Sequence, residues 1–500
     1  MKIIEKLEKR KEIWFIIFVP FLFFLLRLPS LIEPYWYGDE GVYEIIGRAL
    51  NNGRMLYSQI WDNKPPLLYL IYAIANADQF TVRFLSLVSG VVSAVLFYYL
   101  SNKLFRSYKI SAIITVFYIF LFATPILEGN IANAENFMLL PIIASGLLVY
   151  RISEIKKITR AYLALFIAGL LLGIAFLLKI VAVFDFAAFF IFLTFIFLPE
   201  KLSVKDNKGL YKELLKKLGT YVLGFLIPVV FTVLYFIIQG SVVDFIQATF
   251  FSNISYVGYK NSFIISQGFL LLKLLALFVA TALIFWKRKI IPQSVMFIFI
   301  WFFFSFFNAF FSGRSWNHYL LVLLSSTILL FGLLFERKAK KLRIVILVLL
   351  LILMYSVNTL FKLSPRTIGK TLQYYQNFAL FITNNRSIRE YQEFFDRRVP
   401  RDYEIARFIA NNTKPNDVIF IWGNNPQIYV LSNTLPPGKY TVEYHISQSS
   451  KAIRETAYDL RRTKPKYFII LPGATNFPFN IGTYKNKFII EGADIYEKPF

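Results

Sequence analysis

Two adjacent carboxylates, Asp39 and Glu40, lie in Gly38-Asp39-Glu40, and a lysine follows in Asp62-Asn63-Lys64-Pro65-Pro66. Both stretches come directly after the first long apolar run. Charges held against lipid are costly and tend to be kept for function. A carboxylate can take a proton from a hydroxyl. A lysine can bind an anion as a point charge. The same loop carries Tyr35, Trp36, Tyr37 and Trp61, rings that suit a membrane surface. By spacing alone, the loop reads equally well as a solvated, negatively charged amphipathic segment, with Tyr43, Glu44 and Arg48 on the helical stretch that follows.

Further candidates are scattered along the chain. Glu135 ends Glu-Gly-Asn-Ile-Ala-Asn-Ala-Glu, Lys179 ends Gly-Ile-Ala-Phe-Leu-Leu-Lys, and Arg314, His318 and Tyr319 lie in Gly-Arg-Ser-Trp-Asn-His-Tyr. Arg83 lies near the start of another apolar run. Taken singly, each reads more readily as a snorkelling side chain or an ion pair. Together, carboxylates and cations on one side of a membrane would bind an anion and handle a proton. His318 is one of only two histidines, which rules out a three-histidine metal site, and the absence of cysteine rules out disulfides, zinc-thiolate sites and a thiol nucleophile.

The elements that must position these residues are apolar helices. Of 500 residues, 57% are hydrophobic and 55 are Phe, and the mean hydropathy is +0.54. Runs of about 18 apolar residues read as transmembrane helices; Ile13–Leu26, Tyr221–Ile238 and Ile344–Leu360 reach or approach that length. The net charge of +25 does not point to nucleic acid, because no recognition motif accompanies it. Much of it sits in short loops, where cytoplasmic segments collect Lys and Arg. Met1–Lys11 is basic, and the apolar run behind it lacks a small-residue cleavage site, so it reads as a retained first span.

Placing the basic segments Lys2–Lys11, Lys103–Lys109, Arg151–Arg160, Lys201–Lys217, Lys287–Lys289 and Arg337–Arg343 inside leaves Glu33–Lys64, Glu128–Glu135, Lys179–Val181, Gln239–Ser262 and Ser312–His318 outside. This predicts about eleven spans, with the N-terminus inside and the C-terminus outside. Pro65–Ala77 then reads as a short helix in or near the interface, started by Pro65-Pro66, and Thr81–Leu100 as the crossing. Near Leu363 the composition changes. Helices at Arg401–Asn411 and Lys451–Arg462 alternate with strands at Asp417–Trp422 and Lys466–Leu471, which predicts a small α/β domain. The fold class is therefore a polytopic α-helical membrane protein with a C-terminal extracytoplasmic α/β domain. The expected division is 1–362, membrane domain with outer loop 33–79, and 363–500, outer domain.

Gly-Asp-Glu-Gly-Val-Tyr followed by Asp-Asn-Lys-Pro-Pro-Leu-Leu-Tyr resembles the first outer loop of the GT-C glycosyltransferases, in the group of the protein O-mannosyltransferases and lipid A aminoarabinose transferases (glycosyltransferase family 39-like). The stretch ending at Lys179 and the Arg314–Tyr319 stretch are also similar to that group, as is the layout of many spans before a small outer domain. The resemblance covers roughly Trp14 to Phe335.

It implies an inverting transfer of a sugar from a polyprenyl-phosphate donor to a hydroxyl on a lipid, glycan or protein acceptor. It implies Asp39 as general base, with Glu40 beside it orienting the acceptor or a metal. It implies Lys64, Arg83 and Lys179 near the donor phosphate, with Arg314, His318 and Tyr319 closing the site. Glu135 stands where many relatives carry a second acid. The chemistry agrees with this inventory: a phosphate leaving group needs no general acid, so one base and a set of cations suffice. A divalent metal, magnesium or manganese, could share the work through Glu135 with Asp39 or Glu40. The single late-loop histidine does not reproduce the two-histidine metal site of some aminoarabinose transferases, which argues against zinc. The expected location is the plasma membrane, multi-pass, with an endoplasmic reticulum membrane as the alternative. Competing readings are a polyprenyl-lipid or polysaccharide transporter and a non-catalytic membrane scaffold; a transporter would favour repeats and polar groups at the midplane, which the sequence lacks.

Overall fold

The computed structural model describes residues 2–198, 208–254, 270–312, 314–362, 365–414, 417–482 and 484–499. Parts of two expected loops, 201–207 of the basic Lys201–Lys217 segment and 255–262 of the Gln239–Ser262 connection, lie outside the described residues. Among the described residues, nine helices are long and apolar enough to cross a membrane, and Tyr108–Ala123, Val242–Ile254 and Asn317–Gly332 are shorter apolar helices. The first nine helices are α1 (Lys2–Arg27), α2 (Gly38–Asn51), α3 (Pro66–Ile74), α4 (Gln79–Phe105), α5 (Tyr108–Ala123), α6 (Ala134–Arg151), α7 (Ile158–Leu178), α8 (Val183–Phe197) and α9 (Lys208–Ile238). Later apolar helices run over Leu270–Lys287, Gln293–Phe311 and Arg343–Phe361.

The chain divides into two compact units. The first comprises Met1–Leu28, Leu85–Tyr235 and Asn253–Thr371; the second comprises Pro29–Phe84, Phe236–Ser252 and Leu372–Phe500. The C-terminal region thus shares a unit with the residues that carry the acidic loop, a division that differs from a cut at 362.

The first unit is a helix bundle. Gln293–Phe311 is its most enclosed span, with 78% of its apolar window buried, whereas Leu270–Lys287 has 6% buried and presents Phe278 and Leu275 outward. An outward apolar face of that kind is what a lipid environment covers. Between α7 and α9 the backbones approach closely: a Cβ on Gly169 would lie 2.0 Å from the Tyr221 carbonyl oxygen, and one on Gly224 would lie 2.1 Å from that of Phe166. Small residues permit such contacts where lipid offers no hydrophobic drive between helices.

In the second unit, α3 spans nine residues, which at 1.5 Å per residue is about 14 Å and too short for a core of about 30 Å. Pro65 is its N-cap in extended conformation, with Pro66 opening the helix; the missing N–H groups fall where a helix start leaves donors unpaired. The C-terminal part holds a four-stranded sheet in the order β1 (Ile419–Trp422), β2 (Tyr467–Ile470), β4 (Ala493–Glu497), β3 (Lys485–Ile490). β1 pairs parallel with β2 through a helical crossover that includes Ser450–Thr463; β2–β4 and β3–β4 pair antiparallel. Phe420, Trp422, Ile446, Leu460 and Phe468 form its core.

Two charge clusters and a shared fold

In the second unit, Asp39 and Glu40 both fall in the first turn of α2, where the helix dipole favours acids. Neighbours on a helix point about 100° apart, and the two carboxylates part accordingly. Glu40 turns inward. Arg83 grips it with two hydrogen bonds, Nε to Oε1 at 3.1 Å and Nη2 to Oε2 at 2.6 Å. Through Nη1, Arg83 also donates to Glu33 Oε2 at 3.0 Å and to the Ser30 carbonyl at 2.8 Å. Glu33 in turn accepts from Tyr374 (2.6 Å) and Trp36 (2.7 Å). Arg83, Glu33 and Glu40 are all buried. A buried charge must be paired, and here the guanidinium is enclosed by two carboxylates and a carbonyl.

Two residues expected at the site, Arg83 and Glu40, are thus buried and paired with each other. Glu33, which spacing did not single out, completes the group.

Asp39 is only half-buried and pairs with no cation among the described residues. The Tyr43 hydroxyl, one turn along α2, lies 3.5 Å from its Oδ2. The Lys64 ammonium stands 5.8 Å from the centre of the same Tyr43 ring. One aromatic side chain therefore adjoins both the half-exposed acid and the lysine. Lys64 keeps 23% of its side chain exposed and meets Asp62 at 3.8 Å and Asn63 Oδ1 at 2.8 Å. Its backbone is fixed on both sides, by the Tyr57 hydroxyl donating to its carbonyl (2.7 Å) and by its own N–H donating to Tyr69 Oη (3.0 Å). Asp62 is buried and accepts from the Tyr69 hydroxyl at 2.8 Å. Burial alone would push Asp62 up, but Lys64, His445 and the hydrogen bonds from the Asn63 N–H and the Tyr69 hydroxyl together hold the carboxyl below its usual range.

One turn beyond Glu40, Glu44 is buried, and among the described residues neither carboxyl oxygen has a hydrogen-bond partner. Burial first, and Glu40 second, push it well above the usual carboxylate range. The far end of α2 is fastened by Arg48, which donates to the carbonyls of Tyr429 (3.2 Å) and Val430 (3.1 Å).

In the first unit, four expected residues meet. Glu135 is in the first turn of α6 and Lys179 is the C-cap of α7; the two form a short ion pair. Lys179 also lies 4.4 Å from the centre of the Tyr319 ring. His318 sits in the turn Asn317–Leu320, its Nε2 3.8 Å from Glu135 and its Nδ1 2.7 Å from Glu128 Oε2. Glu128 was not expected. It adopts a left-handed backbone (φ 56°), rare for this residue type, next to Gly129, where a Cβ would lie 1.7 Å from the Phe122 carbonyl oxygen. Asn136 Nδ2 donates to the Gly129 carbonyl at 2.9 Å and fastens the turn. Arg314 is half-buried nearby in sequence, its backbone N–H donating to Ser312 Oγ at 3.3 Å.

Among the described residues no group of three His, Asp or Glu side chains is gathered so as to hold a metal ion. Of the carboxylates expected as ligands, Glu40 is taken by Arg83 and Glu135 by Lys179. Both carboxylates are thus already engaged by cations of the chain.

Residues 53–261 match the family model of dolichyl-phosphate-mannose-protein mannosyltransferase. That span contains Lys64, Glu135 and Lys179, and Asp39 precedes it. No curated protein matches the chain. Among solved structures, the chain is similar to ArnT from Cupriavidus metallidurans bound to undecaprenyl phosphate, with 14% identity and a TM-score of 0.56, covering 97% of this chain and 97% of that one. Apo ArnT from the same organism gives 13% identity and a TM-score of 0.55, covering 98% of each chain. The archaeal oligosaccharyltransferase AglB from Archaeoglobus fulgidus, in complex with an inhibitory peptide and a dolichol-phosphate, gives 13% identity and a TM-score of 0.46, covering 93% of this chain and 69% of that one. At this identity the ArnT likeness is one of fold, across nearly the whole of both chains. The mannosyltransferase match over residues 53–261 and the ArnT-like fold of many apolar helices both support a membrane glycosyltransferase of the GT-C kind.

Proposed function

We propose that the chain transfers a sugar, with inversion, from a polyprenyl-phosphate donor to an acceptor hydroxyl, and that Asp39 is the general base. The observation that carries this reading is the divergence of two adjacent acids: Glu40 is locked to Arg83, whereas Asp39 stays half-exposed and, among the described residues, pairs with no cation. A carboxylate in that state can accept a proton. The acceptor oxygen attacks the anomeric carbon, the bond to the phosphate oxygen breaks, and the proton passes to Asp39. The departing phosphate needs cations to stabilise its growing charge. Lys64 is assigned that role in the second unit. That ArnT has been seen with undecaprenyl phosphate supports the donor class.

We count α5 and Asn317–Gly332, but not Val242–Ile254, as crossings alongside the nine longer helices, in keeping with the eleven spans read from the loop charges. This would place the acidic loop and the sheet on the outer face, here taken as that of the plasma membrane. The acceptor remains a lipid, glycan or protein hydroxyl.

The test is to supply membranes containing the protein with a panel of labelled polyprenyl-phosphate sugars and to determine the anomeric configuration of any product by NMR. Label reaching an acceptor with inverted configuration supports the reading. Transfer with retained configuration removes Asp39 from the role of base in a single displacement.

A further inference from the structure

The second histidine of the chain, His445, lies in the short helix Glu443–Ser447 of the C-terminal part and is buried. Its Nε2 stands 3.6 Å from Asp62 Oδ1, while the other oxygen of Asp62 takes the Tyr69 hydroxyl and faces the Lys64 ammonium. The imidazole also packs edge-on against the Trp61 ring at 4.9 Å, and that ring meets Tyr440 at 5.7 Å. The Trp61 backbone N–H donates to the Lys439 carbonyl at 2.9 Å. Lys439, Tyr440 and His445 thus hold the stretch Trp61–Asp62 from one side, and Lys64 follows two residues later. Tyr57 and Tyr69 hold the Lys64 backbone from the other side.

We infer that His445 is a positioning residue: through Asp62 it sets where the Lys64 ammonium stands, and so the C-terminal part tunes how tightly the site grips the phosphate of a polyprenyl lipid. The inference rests on the proposed role of Lys64 at the donor phosphate. Burial pushes the imidazole down to about 4, so at neutral pH it is uncharged. A neutral ring can press on Asp62 without competing with Lys64 for its charge. An imidazolium in the same place would draw Asp62 away from Lys64, and a small residue would leave Asp62 a gap to move into. The contact acts on the acid that flanks the cation, not on the ligand, so its effect belongs to binding rather than to the chemical step.

The probe is undecaprenyl phosphate itself, whose binding to the purified full-length protein needs no knowledge of the sugar. Lys64→Ala should weaken binding at least ten-fold. His445→Ala should weaken it about five-fold and His445→Asn less, with the thermal midpoint recorded for each variant. Combining Lys64→Ala with His445→Ala should weaken binding no further than Lys64→Ala alone, because both act through one ammonium. If the Lys64 variant binds like the wild type, the assignment of Lys64 falls, and the inference with it. If the Lys64 variant loses binding but folded His445→Ala and His445→Asn bind as the wild type does, His445 is only a packing residue and the inference fails alone. If His445→Ala does not fold, Tyr440→Leu loosens the same clamp at the Trp61 ring. A stable Tyr440→Leu protein should show the same weakened binding, and unchanged binding overturns the inference.

Discussion

Arg83 and Glu40 face each other across two hydrogen bonds in a fully enclosed site, while Asp39, the residue next to Glu40, remains half-exposed. One helical step separates a structural acid from a candidate base. Removing one partner of a buried ion pair strands the other charge and costs roughly 3–5 kcal/mol. Glu40→Gln and Arg83→Ala should therefore lower the thermal midpoint and the yield of folded protein, whereas Asp39→Asn should leave both close to wild type. Thermal unfolding in detergent checks this, and equal destabilisation by Asp39→Asn would contradict the division of roles.

The approach of α7 and α9 leaves no room for a side chain at Gly169 or Gly224. Gly224→Leu should abolish folding or cut the yield severely, while Gly219→Leu on the same helix, where a Cβ meets nothing within 4 Å, should be tolerated. Size-exclusion profiles of the two variants decide it.

Stability should depend on pH through two buried groups of opposite sign. His445 has its imidazole pushed down from 6.5 to about 4 by burial, with Asp62 opposing the shift and Lys64 adding to it. The unfolded chain takes up a proton near pH 6.5 that the folded chain refuses until about pH 4. Stability present above 6.5 is thus lost as pH falls through that window, by up to about 3 kcal/mol. Folded His445→Asn should flatten the decline of the thermal midpoint between pH 6.5 and 4; an unchanged slope would contradict the assignment.

Glu44 runs the other way. Its carboxyl is pushed well above the usual range by burial and by Glu40, so its contribution is present below the unfolded carboxylate value of about 4.3 and declines as pH rises towards the folded value. Glu44→Gln keeps the shape and cannot ionise. Its thermal midpoint should exceed that of the wild type at pH 8 and approach it at pH 5. A lower midpoint at pH 8 would show that the acid has a partner of its own.

Glu128 holds Nδ1 of His318 at 2.7 Å from a left-handed backbone. Glu128→Gln should lower the thermal midpoint less than His318→Phe, since the amide can still share a hydrogen bond with the ring whereas a phenyl ring cannot. Equal losses in the two variants would show that this contact does not hold the turn.

Much of the architecture was legible from apolar period and turn signals. The short α3 after Pro65-Pro66, the long α4 and the alternation of β1, Ser450–Thr463 and β2 follow the sequence pattern closely. The helices Pro365–Ile382 and Ile388–Phe395 went unread, although Ser387 and Glu390 form a capping box that sequence can announce. The β3–β4 hairpin also went unread; it turns at Glu491-Gly492, both with positive φ, and Glu is an uncommon choice for such a turn. In the clusters, the convergence of Glu135, Lys179, His318 and Tyr319 agreed with spacing at the ends of spans. What spacing could not give was who pairs with whom. Arg83 to Glu33, His318 to Glu128 and His445 to Asp62 are separated by 50, 190 and 383 residues, and no periodicity carries such a pairing. A charged residue beside a membrane looks the same in sequence whether it is locked to a partner or open to a substrate.

The central claim is that Asp39 takes the acceptor proton. The most direct measurement compares single-turnover transfer from a polyprenyl-phosphate sugar, identified from the labelled panel, by the wild type and by Asp39→Asn, with undecaprenyl phosphate binding measured on the same two proteins. The account predicts that Asp39→Asn binds the lipid phosphate as the wild type does and transfers sugar about 10²–10⁴-fold more slowly. Wild-type transfer by folded Asp39→Asn, or loss of lipid binding with an unchanged rate once saturated, would contradict it.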